Sequence, residues 1–578
     1  MNIYGIWELK KIAMRNLARH KVKTILTCLA VMVSVAVYIF LNGLLGGMTI
    51  ESRRNIVNFE IGAAKLQTKL YFERKDEMPS YENFKEWEIY REALSREGYV
   101  SAPRYVFSAS LFSLSGSAPI IFYGVYPEAE REVLRYVPYV DFGRFIENGN
   151  YEIALGIVAA EKLKVGIPTR PYRQELEELI GLITNNNSDA DFIRSLYDIA
   201  PPSRDMFELA DAKSVKGNER MLLKRNASKE DLDKFWEMTA ASGRNNVRIN
   251  AVIDNRAAPE RINAGKWEAE IWSKLREEDK PLLLEAYQYI DVMDSYLLAP
   301  ELDEEKLAKV LDAMIRAGFL GAVSHVNQVF DVVVCGVINS PAPLPNGNTA
   351  YIPLDVLQDK TGMMLEGAVT ELIIRERGVP DSRLPGKSES NEVITDALIK
   401  GLESMGRTLP NELGVRTWKE YMEEYLGFEA MENAAPQVLA FLLLLLSFLG
   451  ISNTILLAIL ERTKEIGMMR AMGMTDNQMI MAYMLEAGFL GFFGSVMGII
   501  LGCIINYPLV ENGLDFSSMG DALGSGIGFR VTAVLRSMWD IPVIIGSGIA
   551  ATLLAACMAY FPVKRAVKKP ITESLRFE

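Results

Sequence analysis

The chain has 578 residues, of which 49% are hydrophobic and 24% charged, and its net charge is −12. A single hydrophobic core stops growing at roughly 250–300 residues, so this length excludes one compact domain. The apolar residues are concentrated in four nearly uncharged runs, which excludes a purely soluble protein. A long polar region separates the first two runs, which also excludes a bundle of membrane helices alone.

The four apolar runs are long enough to cross a bilayer as helices. A helix rises about 1.5 Å per residue, so about 20 residues span the hydrocarbon core. We therefore predict four transmembrane helices at Ile25–Leu45, Pro436–Leu460, Met479–Ile505 and Ile541–Phe561. A cleaved signal peptide is the alternative for the first run, but the preceding segment is long and no clear A-x-A site follows. A retained anchor is the better interpretation.

Basic residues orient the chain, because Lys and Arg accumulate in cytoplasmic segments. Residues 1–24 carry six of them against one acid, the loop 461–478 three against three, and the tail 562–578 five against two. These segments are predicted to be cytoplasmic, with a net charge of +8 that leaves −20 for the rest. Residues 46–435 and the loop 506–540 are then on the outer side of the membrane. Their acidic character argues against nucleic acid as a partner.

Residues 46–435 predict a large α+β domain with a helical insertion. Short apolar runs broken by Gly and Pro predict strands in a core formed by residues 46–168 and 326–435. Residues 169–325 are more charged and have helical patterns, and their predicted helices are Tyr172–Ile183, Lys229–Ser242, Ala269–Glu278, Pro281–Leu297 and Glu304–Ala317. Cys335 is the single cysteine outside the apolar runs, so it has no partner for a disulfide within this domain.

Small residues and one acid stand out within the membrane runs. Gly494, Gly498 and Gly502 share one face of the third run, where they favour close helix packing, with a substrate-facing groove as the alternative. Glu486 is an acid inside the same run and hence a functional candidate. It also lies near a predicted helix N-terminus, where the dipole and snorkelling give a structural explanation.

Motifs of nucleotide binding and catalysis are absent from the sequence. No Walker A loop G-x-x-x-x-G-K-[ST] and no G-x-S-x-G nucleophile elbow occurs. The two histidines, His20 and His325, are far apart in sequence, which disfavours a histidine-based metal site. We therefore expect no enzyme activity and no cofactor in this chain.

The loop between the second and third runs has the most specific local pattern. Residues 461–473 predict a short amphipathic helix that Gly473 ends. Thr475 and Gln478 then form the T-x-x-Q pattern of a capping box that starts the next helix. A short, well-capped helix between two membrane helices is suited to transmit a push, although a connection without a partner would look similar.

This loop, E-R-T-K-E-I-G-M-M-R-A-M-G, resembles the cytoplasmic coupling segment of FtsX/MacB-type ABC transporter permeases, whose pattern is E-R-x-x-E-I-G-x-x-R-A-x-G. The basic tail with P-x-x-x-L-R, the start of the third run and Asn42-Gly43 also resemble that family. Gly149–Gly156 and Ala350–Leu354 are similar to its MacB-like periplasmic core. The layout of one helix, a large domain and three helices resembles most closely the lipoprotein-releasing LolC/LolE subunits.

The resemblance implies a mechanotransmission permease that works with a separate ABC ATPase subunit and a second permease copy or paralogue. It implies ATPase coupling by seven residues: Glu461, Glu465, Ile466, Gly467, Arg470, Ala471 and Gly473. It also implies a lipid-accepting cavity between the first two helices, for which we name Ile39, Asn42 and Leu439.

Lipoprotein transport, with a periplasmic carrier and lipoprotein cargo as partners, is the leading functional expectation. Efflux and activation of cell-wall hydrolases are alternatives within the family. A non-transporting receptor is an alternative outside it, which the coupling segment disfavours. The helical insertion 169–325 occupies the place of the family's carrier-docking loop, so it either replaces that loop, grips cargo or has no role.

Overall fold

The computed structural model describes residues 21–199, 219–224, 226–259, 261–299, 302–317, 319, 322–360, 367–380, 384, 390–423, 426, 438, 442, 457, 463–515 and 534–568. The chain divides into two compact units, each of which is described by itself. The membrane unit combines Met1–Arg53, Met422–Ser517 and Ala533–Glu578. The large domain comprises Arg54–Tyr421 and Ser518–Thr532.

The described α-helices are, in chain order, α1 (Lys21–Ile56), α2 (Lys69–Glu73), α3 (Trp87–Arg96), α4 (Pro127–Val133), α5 (Ile157–Leu163), α6 (Arg173–Ile183), α7 (Asn187–Ser195), α8 (Lys229–Ala241), α9 (Ala264–Lys266), α10 (Lys280–Ala286), α11 (Glu304–Arg316), α12 (Pro343–Asn346), α13 (Asn391–Ser404), α14 (Trp418–Tyr421), α15 (Thr463–Ala471), α16 (Asp476–Glu511) and α17 (Ile541–Val567).

The described strands are β1 (Ala64–Thr68), β2 (Tyr99–Phe112), β3 (Ser117–Val125), β4 (Val140–Gly143), β5 (Glu152–Gly156), β6 (Tyr197–Ile199), β7 (Met221–Leu223), β8 (Asn246–Ala257), β9 (Arg261–Asn263), β10 (Tyr287–Ile290), β11 (Ser295–Leu298), β12 (Ala322–Ile338), β13 (Thr349–Pro353), β14 (Glu371–Glu376), β15 (Leu413–Thr417), β16 (Leu514–Asp515) and β17 (Val534–Leu535).

Three helices of the membrane unit are long and apolar enough to cross a bilayer among the described residues. They are α1, α16 and α17, which contain the first, third and fourth predicted runs and extend beyond them. The second predicted run, Pro436–Leu460, lies outside the described residues except for Val438, Leu442 and Leu457. Four transmembrane helices therefore stay a prediction.

The large domain is built on a mixed sheet in which six strands form a closed ring. Backbone pairing runs from β2 through β3, β13, β5, β12 and β8 and returns from β8 to β2. The pairs β13–β3 and β12–β5 are parallel, and the other four are antiparallel. Outside the ring, β14 pairs with the first half of β2, and β1 pairs with β14 and β15. The α/β character of the predicted core is confirmed.

Alternate residues of the ring strands bury two separate hydrophobic clusters, as strand geometry requires. Phe107, Leu111 and Phe122 belong to the larger cluster, which also includes residues of α3, α6, α8 and α13. Tyr123 and Tyr351 point to the other face, where they pack with residues of α4 and its neighbours. The ring is therefore held from both faces.

The interpretation of residues 169–325 as a helical insertion needs correction. Its strand β8 pairs with β2 and β12 and closes the ring, so this part belongs to the core sheet. Helix α8 is equally integral, because the Trp236 ring lies against Gly143 and Gly166. These two glycines have φ values of +72° and +68°, and a Cβ at either would meet the indole at about 2.8–2.9 Å. Core strand β12 also begins at Ala322, before the predicted boundary at 326.

The second half of the insertion forms a small lobe with its own core. Strands β8 and β12 continue beyond the ring as a two-stranded ribbon, and Ala257 pairs with Ala322 at its end. Between these residues, the buried cluster contains Trp267, Leu283 and Met314. The predicted helix Ala269–Glu278 is wrong, since short π and 3-10 turns occupy Trp267–Lys274. The predicted helix Pro281–Leu297 is half wrong, because the hairpin β10–β11 follows α10.

Candidate functional site: the coupling segment

The loop between the second and third predicted spans folds as the sequence predicts. Helix α15 ends at Ala471, and the turn after it contains Gly473, whose φ of +101° is a conformation that glycine adopts without strain. The N-cap Thr475 then starts α16: its hydroxyl accepts from Gln478 N at 3.4 Å, and Gln478 Oε1 accepts from Thr475 N at 2.9 Å. Both the helix stop and the capping box are confirmed.

One face of the helix α15 packs against the N-terminal part of α16 and the C-terminal part of α17. The Ile466 side chain is 2% exposed and shares a buried cluster with Met479 and Tyr483 of α16 and Val563 of α17. Gly467 is buried beside it. The helix is therefore seated on the bundle rather than suspended between two flexible links.

Arg470 braces this arrangement with an ion pair. Its Nε lies 3.1 Å from the Asp476 carboxylate, and the arginine side chain is only 13% exposed. Asp476 is the first residue of α16, where the helix dipole stabilises an anion. Because the Asp476 carboxylate is exposed, the ion pair adds little to the stability of the protein. Its main effect is to orient α15 relative to the start of α16.

Two methionines are exposed on the side of α15 that faces away from Ile466. Met468 lies on the helix and Met472 in the turn that follows it, and their side chains are 48% and 80% exposed. Unbranched thioether side chains adapt to irregular apolar grooves, so this pair is a candidate docking surface. We call this pair the methionine knob. The sequence interpretation missed it, although two methionines at i, i+4 in a charged loop were a readable signal.

The other predicted coupling residues are less informative. Glu461 lies outside the described residues, and Glu465 lies within α15. Ala471 is exposed at the end of the helix. Their roles in ATPase coupling stay predictions.

The small-residue face of α16 lies against α1. A Cβ at Gly494 would meet Val31 Cβ at 2.7 Å, one at Gly498 would meet a backbone oxygen of α1 at 2.7 Å, and one at Gly502 would meet Ile39 Cβ at 3.1 Å. Glycine is therefore required at the first two positions for the two helix backbones to approach this closely. A fourth glycine, which the sequence analysis did not single out, lies against α17: a Cβ at Gly491 would meet Ala555 Cβ at 2.7 Å.

The three residues that we predict to line a cavity differ from one another in their surroundings. Ile39 is 2% exposed and contributes to the contact between α1 and α16. Asn42 is half-buried, and Leu439 lies outside the described residues. Glu486 is half-buried in α16 and has an interaction partner. Cargo contact by these residues stays a prediction.

A polar clasp near the C-terminal end of α16 joins α1, α16 and the segment that precedes α17. We define it as Gly43, Asn506, Ser537 and Met538. Asn506 is 1% exposed: its Oδ1 accepts from Ser537 Oγ at 2.6 Å, and its Nδ2 donates to Met538 O at 3.1 Å. Met538 N donates to Gly43 O at 3.0 Å. The sequence analysis missed Asn506, a lone amide at the end of an apolar run.

The described residues thus combine three apolar helices that are long enough to cross a membrane with a short, capped helix packed against two of them. Residues 438–571 match the family model described as FtsX-like permease C-terminal. In this part the chain is similar to the FtsX/MacB-type ABC transporter permeases.

Several curated proteins are similar over a limited part of the chain. An uncharacterized ABC transporter permease of Methanocaldococcus jannaschii is 32% identical over 23% of this chain and 30% of its own length. The macrolide export ATP-binding/permease protein MacB of Mannheimia succiniciproducens is 26% identical over 24% of this chain and 19% of its own. The lipoprotein-releasing system transmembrane protein LolC of Neisseria meningitidis is 22% identical over 28% and 40%. The chain thus spans less than half of each of these relatives.

Proposed function

We propose that this chain is the transmembrane permease subunit of an ABC translocase whose ATPase is a separate subunit that docks on the methionine knob. The observation that carries this proposal is the two-sided character of α15. Ile466 and Arg470 fix one face to the membrane helices, while Met468 and Met472 are exposed on the other. A push on the knob would therefore reach α16 and α17 directly.

The absence of a Walker A loop supports the division of labour between two subunits. No Walker A loop occurs in the 578 residues, so this chain has no P-loop to hold ATP. The MacB relative is named as an ATP-binding/permease protein and so combines both functions. In our proposal a partner supplies the hydrolysis that this chain lacks.

The topology that we propose puts both termini and the coupling segment in the cytoplasm. The net charge of +8 in these segments supports this orientation. The large domain is then periplasmic, in a bacterial inner membrane. A second permease copy or paralogue completes the pair of coupling segments that two ATPase subunits require.

Lipoprotein release is the cargo function that we propose first. The order of one helix, a large domain and further helices supports it, as does the similarity to LolC, which is named a lipoprotein-releasing protein and is covered over 40% of its length. Efflux is the second candidate, because relatives named macrolide export proteins also match part of the chain. Both candidates use the same coupling segment.

The lobe between Ala257 and Ala322 is the part that we propose to contact a periplasmic carrier or the cargo. It has its own hydrophobic core and is carried by a two-stranded ribbon, so it is an addition to the ring rather than part of it. Its removal is therefore possible without loss of the ring. A two-residue Asn-Gly turn between Ala257 and Ala322 would close the ribbon as a hairpin.

The docking proposal is tested by placing a charge on the knob. Met468→Glu and Met472→Glu should reduce co-purification with the cognate ATPase at least tenfold, because a carboxylate cannot enter an apolar groove without a large desolvation cost. Asn477→Asp is the matched control: this residue is exposed in the first turn of α16, where an acid is favourable. Equal ATPase retention by the knob variants and the control would refute the proposal.

The cargo proposal is tested in nanodiscs that contain the permease, its ATPase and a tagged triacylated lipoprotein. We expect ATP-dependent transfer of the lipoprotein to the soluble fraction with a carrier, and loss of this transfer when the lobe is replaced by the Asn-Gly turn. ATP hydrolysis should persist in that variant. ATP-dependent macrolide export from proteoliposomes, without lipoprotein transfer, would instead favour efflux.

A further inference from the structure

A row of buried charges crosses the large domain from strand to strand. Glu371 of β14 lies between Lys65 of β1 and Arg104 of β2. Lys65 Nζ is 2.7 Å from Glu371 Oε2, and Arg104 Nη1 is 3.8 Å from Glu371 Oε1. The side chains are between 2% and 10% exposed. The sheet register enforces this proximity, since Glu371 pairs directly with Arg104 in the backbone ladder.

One end of the row reaches the segment that follows α1. Helix α1 continues without a gap into a π turn at Val57–Ile61. Arg104 Nη1 donates to the backbone oxygen of Glu60 in this turn at 3.4 Å. The Glu60 carboxylate in turn accepts from Leu344 N at 2.9 Å. The exit of the first membrane helix is thus tied to the row through Arg104.

The other end of the row reaches the segment that precedes the second predicted membrane run. The Lys65 ammonium lies 4.7 Å from the centre of the Tyr421 ring, and Tyr421 is the last residue of α14. The Tyr421 hydroxyl donates to Gln67 Oε1, and Lys75 Nζ donates to Tyr421 O at 3.4 Å. This short helix is therefore held on β1 by its aromatic residue.

Buried ion pairs are an unusual way to fill this position. Their desolvation cost cancels most of the Coulombic gain, so well-packed apolar residues of similar size would stabilise the core equally well. Ion pairs differ from apolar contacts in that only one arrangement satisfies them. Displacement of Lys65 leaves the buried Glu371 carboxylate with the longer contact to Arg104, which also pairs with Glu130, so the row resists independent movement of its two ends.

We infer that the row of Glu60, Arg104, Glu371, Lys65 and Tyr421 is a conformational link that makes the connections to the first and second membrane helices move as one. We call it the base row. Its members are positioning residues. This inference deepens the proposed function and rests on it only for the source of the motion, because the link itself is a property of the permease alone.

The test measures the link in the permease without any ATPase. Spin labels at Met48 and Val438, both exposed, report on the two connections in nanodiscs by double electron–electron resonance, on a background without native cysteines. Lys65→Met combined with Glu371→Leu replaces the central pair by apolar residues of similar size. We expect the width of the distance distribution to increase at least twofold, whereas Lys65→Arg should retain the native width.

The matched control is another ion pair of the same domain. Arg144 donates to both oxygens of Glu152 at 2.8 and 2.7 Å, and this pair is not part of the row. Arg144→Met with Glu152→Leu should leave the distribution unchanged. A native width in the folded Lys65→Met/Glu371→Leu variant, or equal broadening in the control, would overturn the inference.

A further variant decides the matter if the double variant does not fold. Tyr421→Leu removes the ring at the end of the row without touching its ion pairs, and it should broaden the distribution by itself; an unchanged width would count against the link. Because no nucleotide or partner is present, these results are independent of ATPase docking. Failure of the docking test would overturn the proposed function and leave this measurement valid.

Discussion

Asn506 offers the sharpest test of how the membrane unit is held together. It is 1% exposed and makes two hydrogen bonds within the polar clasp, one from Ser537 Oγ and one to Met538 O. A hydrogen bond between membrane segments contributes about 0.6–1.7 kcal/mol. Asn506→Ala should therefore lower the free energy of unfolding by about 1–3 kcal/mol, since it also leaves two partner groups unpaired.

The assay is unfolding in mixed micelles, followed by circular dichroism as the mole fraction of sodium dodecyl sulfate rises. Ser547→Ala is the matched control: this residue is also buried, and its hydroxyl donates to Ile544 O of its own helix at 2.9 Å. Its loss should cost no more than about 0.5 kcal/mol, because the helix already satisfies that carbonyl.

A double-mutant cycle separates the hydrogen bond from the loss of packing. Asn506→Ala and Ser537→Ala remove the same bond, so their combined cost should be smaller than the sum of the two single costs. Strict additivity, or an Asn506→Ala variant no less stable than the Ser547→Ala control, would refute the view that the clasp holds α1, α16 and the segment before α17 together.

Three further predictions concern packing and burial. Gly498→Ala should destabilise the membrane unit by about 1–3 kcal/mol in the same micelle assay, because its Cβ would lie 2.7 Å from a backbone oxygen of α1. Gly546→Ala is the control and should be near neutral, because a Cβ there would have nothing within 4 Å. In thermal unfolding of the large domain, Gly401→Ala should lower the melting temperature, since its Cβ would meet a backbone oxygen of α3 at 2.4 Å, while Gly181→Ala, on the open face of α6, should stabilise by about 0.5–1 kcal/mol. Burial raises the pKa of the Cys335 thiol, so a maleimide should label it in the native protein at pH 8 at least a hundredfold more slowly than after denaturation; equal rates would contradict its burial.

Features set by neighbouring residues could be predicted from the sequence. The capping box at Thr475 and the stop at Gly473 depend on a few consecutive residues and were found without the structure. The spacing of Gly494, Gly498 and Gly502 likewise predicts a close-packed face on a helix. Such signals need no knowledge of what lies elsewhere in the chain.

Strand β8 shows how a charged composition can hide the alternating pattern that predicts a strand. Val247, Ile249 and Ala251 alternate with polar residues, which is the period of a strand with one buried face. The surrounding charged helices led to an all-helical interpretation of the whole insertion. The hairpin β10–β11 was missed because a turn through Asp294, with a φ of +43°, interrupts an apolar pattern that otherwise continues from α10.

The base row lay beyond sequence reasoning for a different reason. Lys65 and Glu371 are 306 positions apart, and nothing local marks either residue as buried. Only the order of strands in the sheet brings them together with Arg104. The methionine knob could have been predicted, by contrast, because its two residues are four positions apart in the sequence.

The closed ring of strands and the contact between α1 and α16 differ in the substitutions that they accept. Backbone hydrogen bonds close the ring whatever the side chains are, so any alternation of apolar and polar residues of suitable size can maintain it. The contacts between α1 and α16 accept only glycine at positions such as 498, where a single methyl group would collide with a backbone. The paired residues of the ring strands can therefore change in size and type more readily than the glycines of α16 that lie against α1. The family model matches residues 438–571, which include this glycine face of α16.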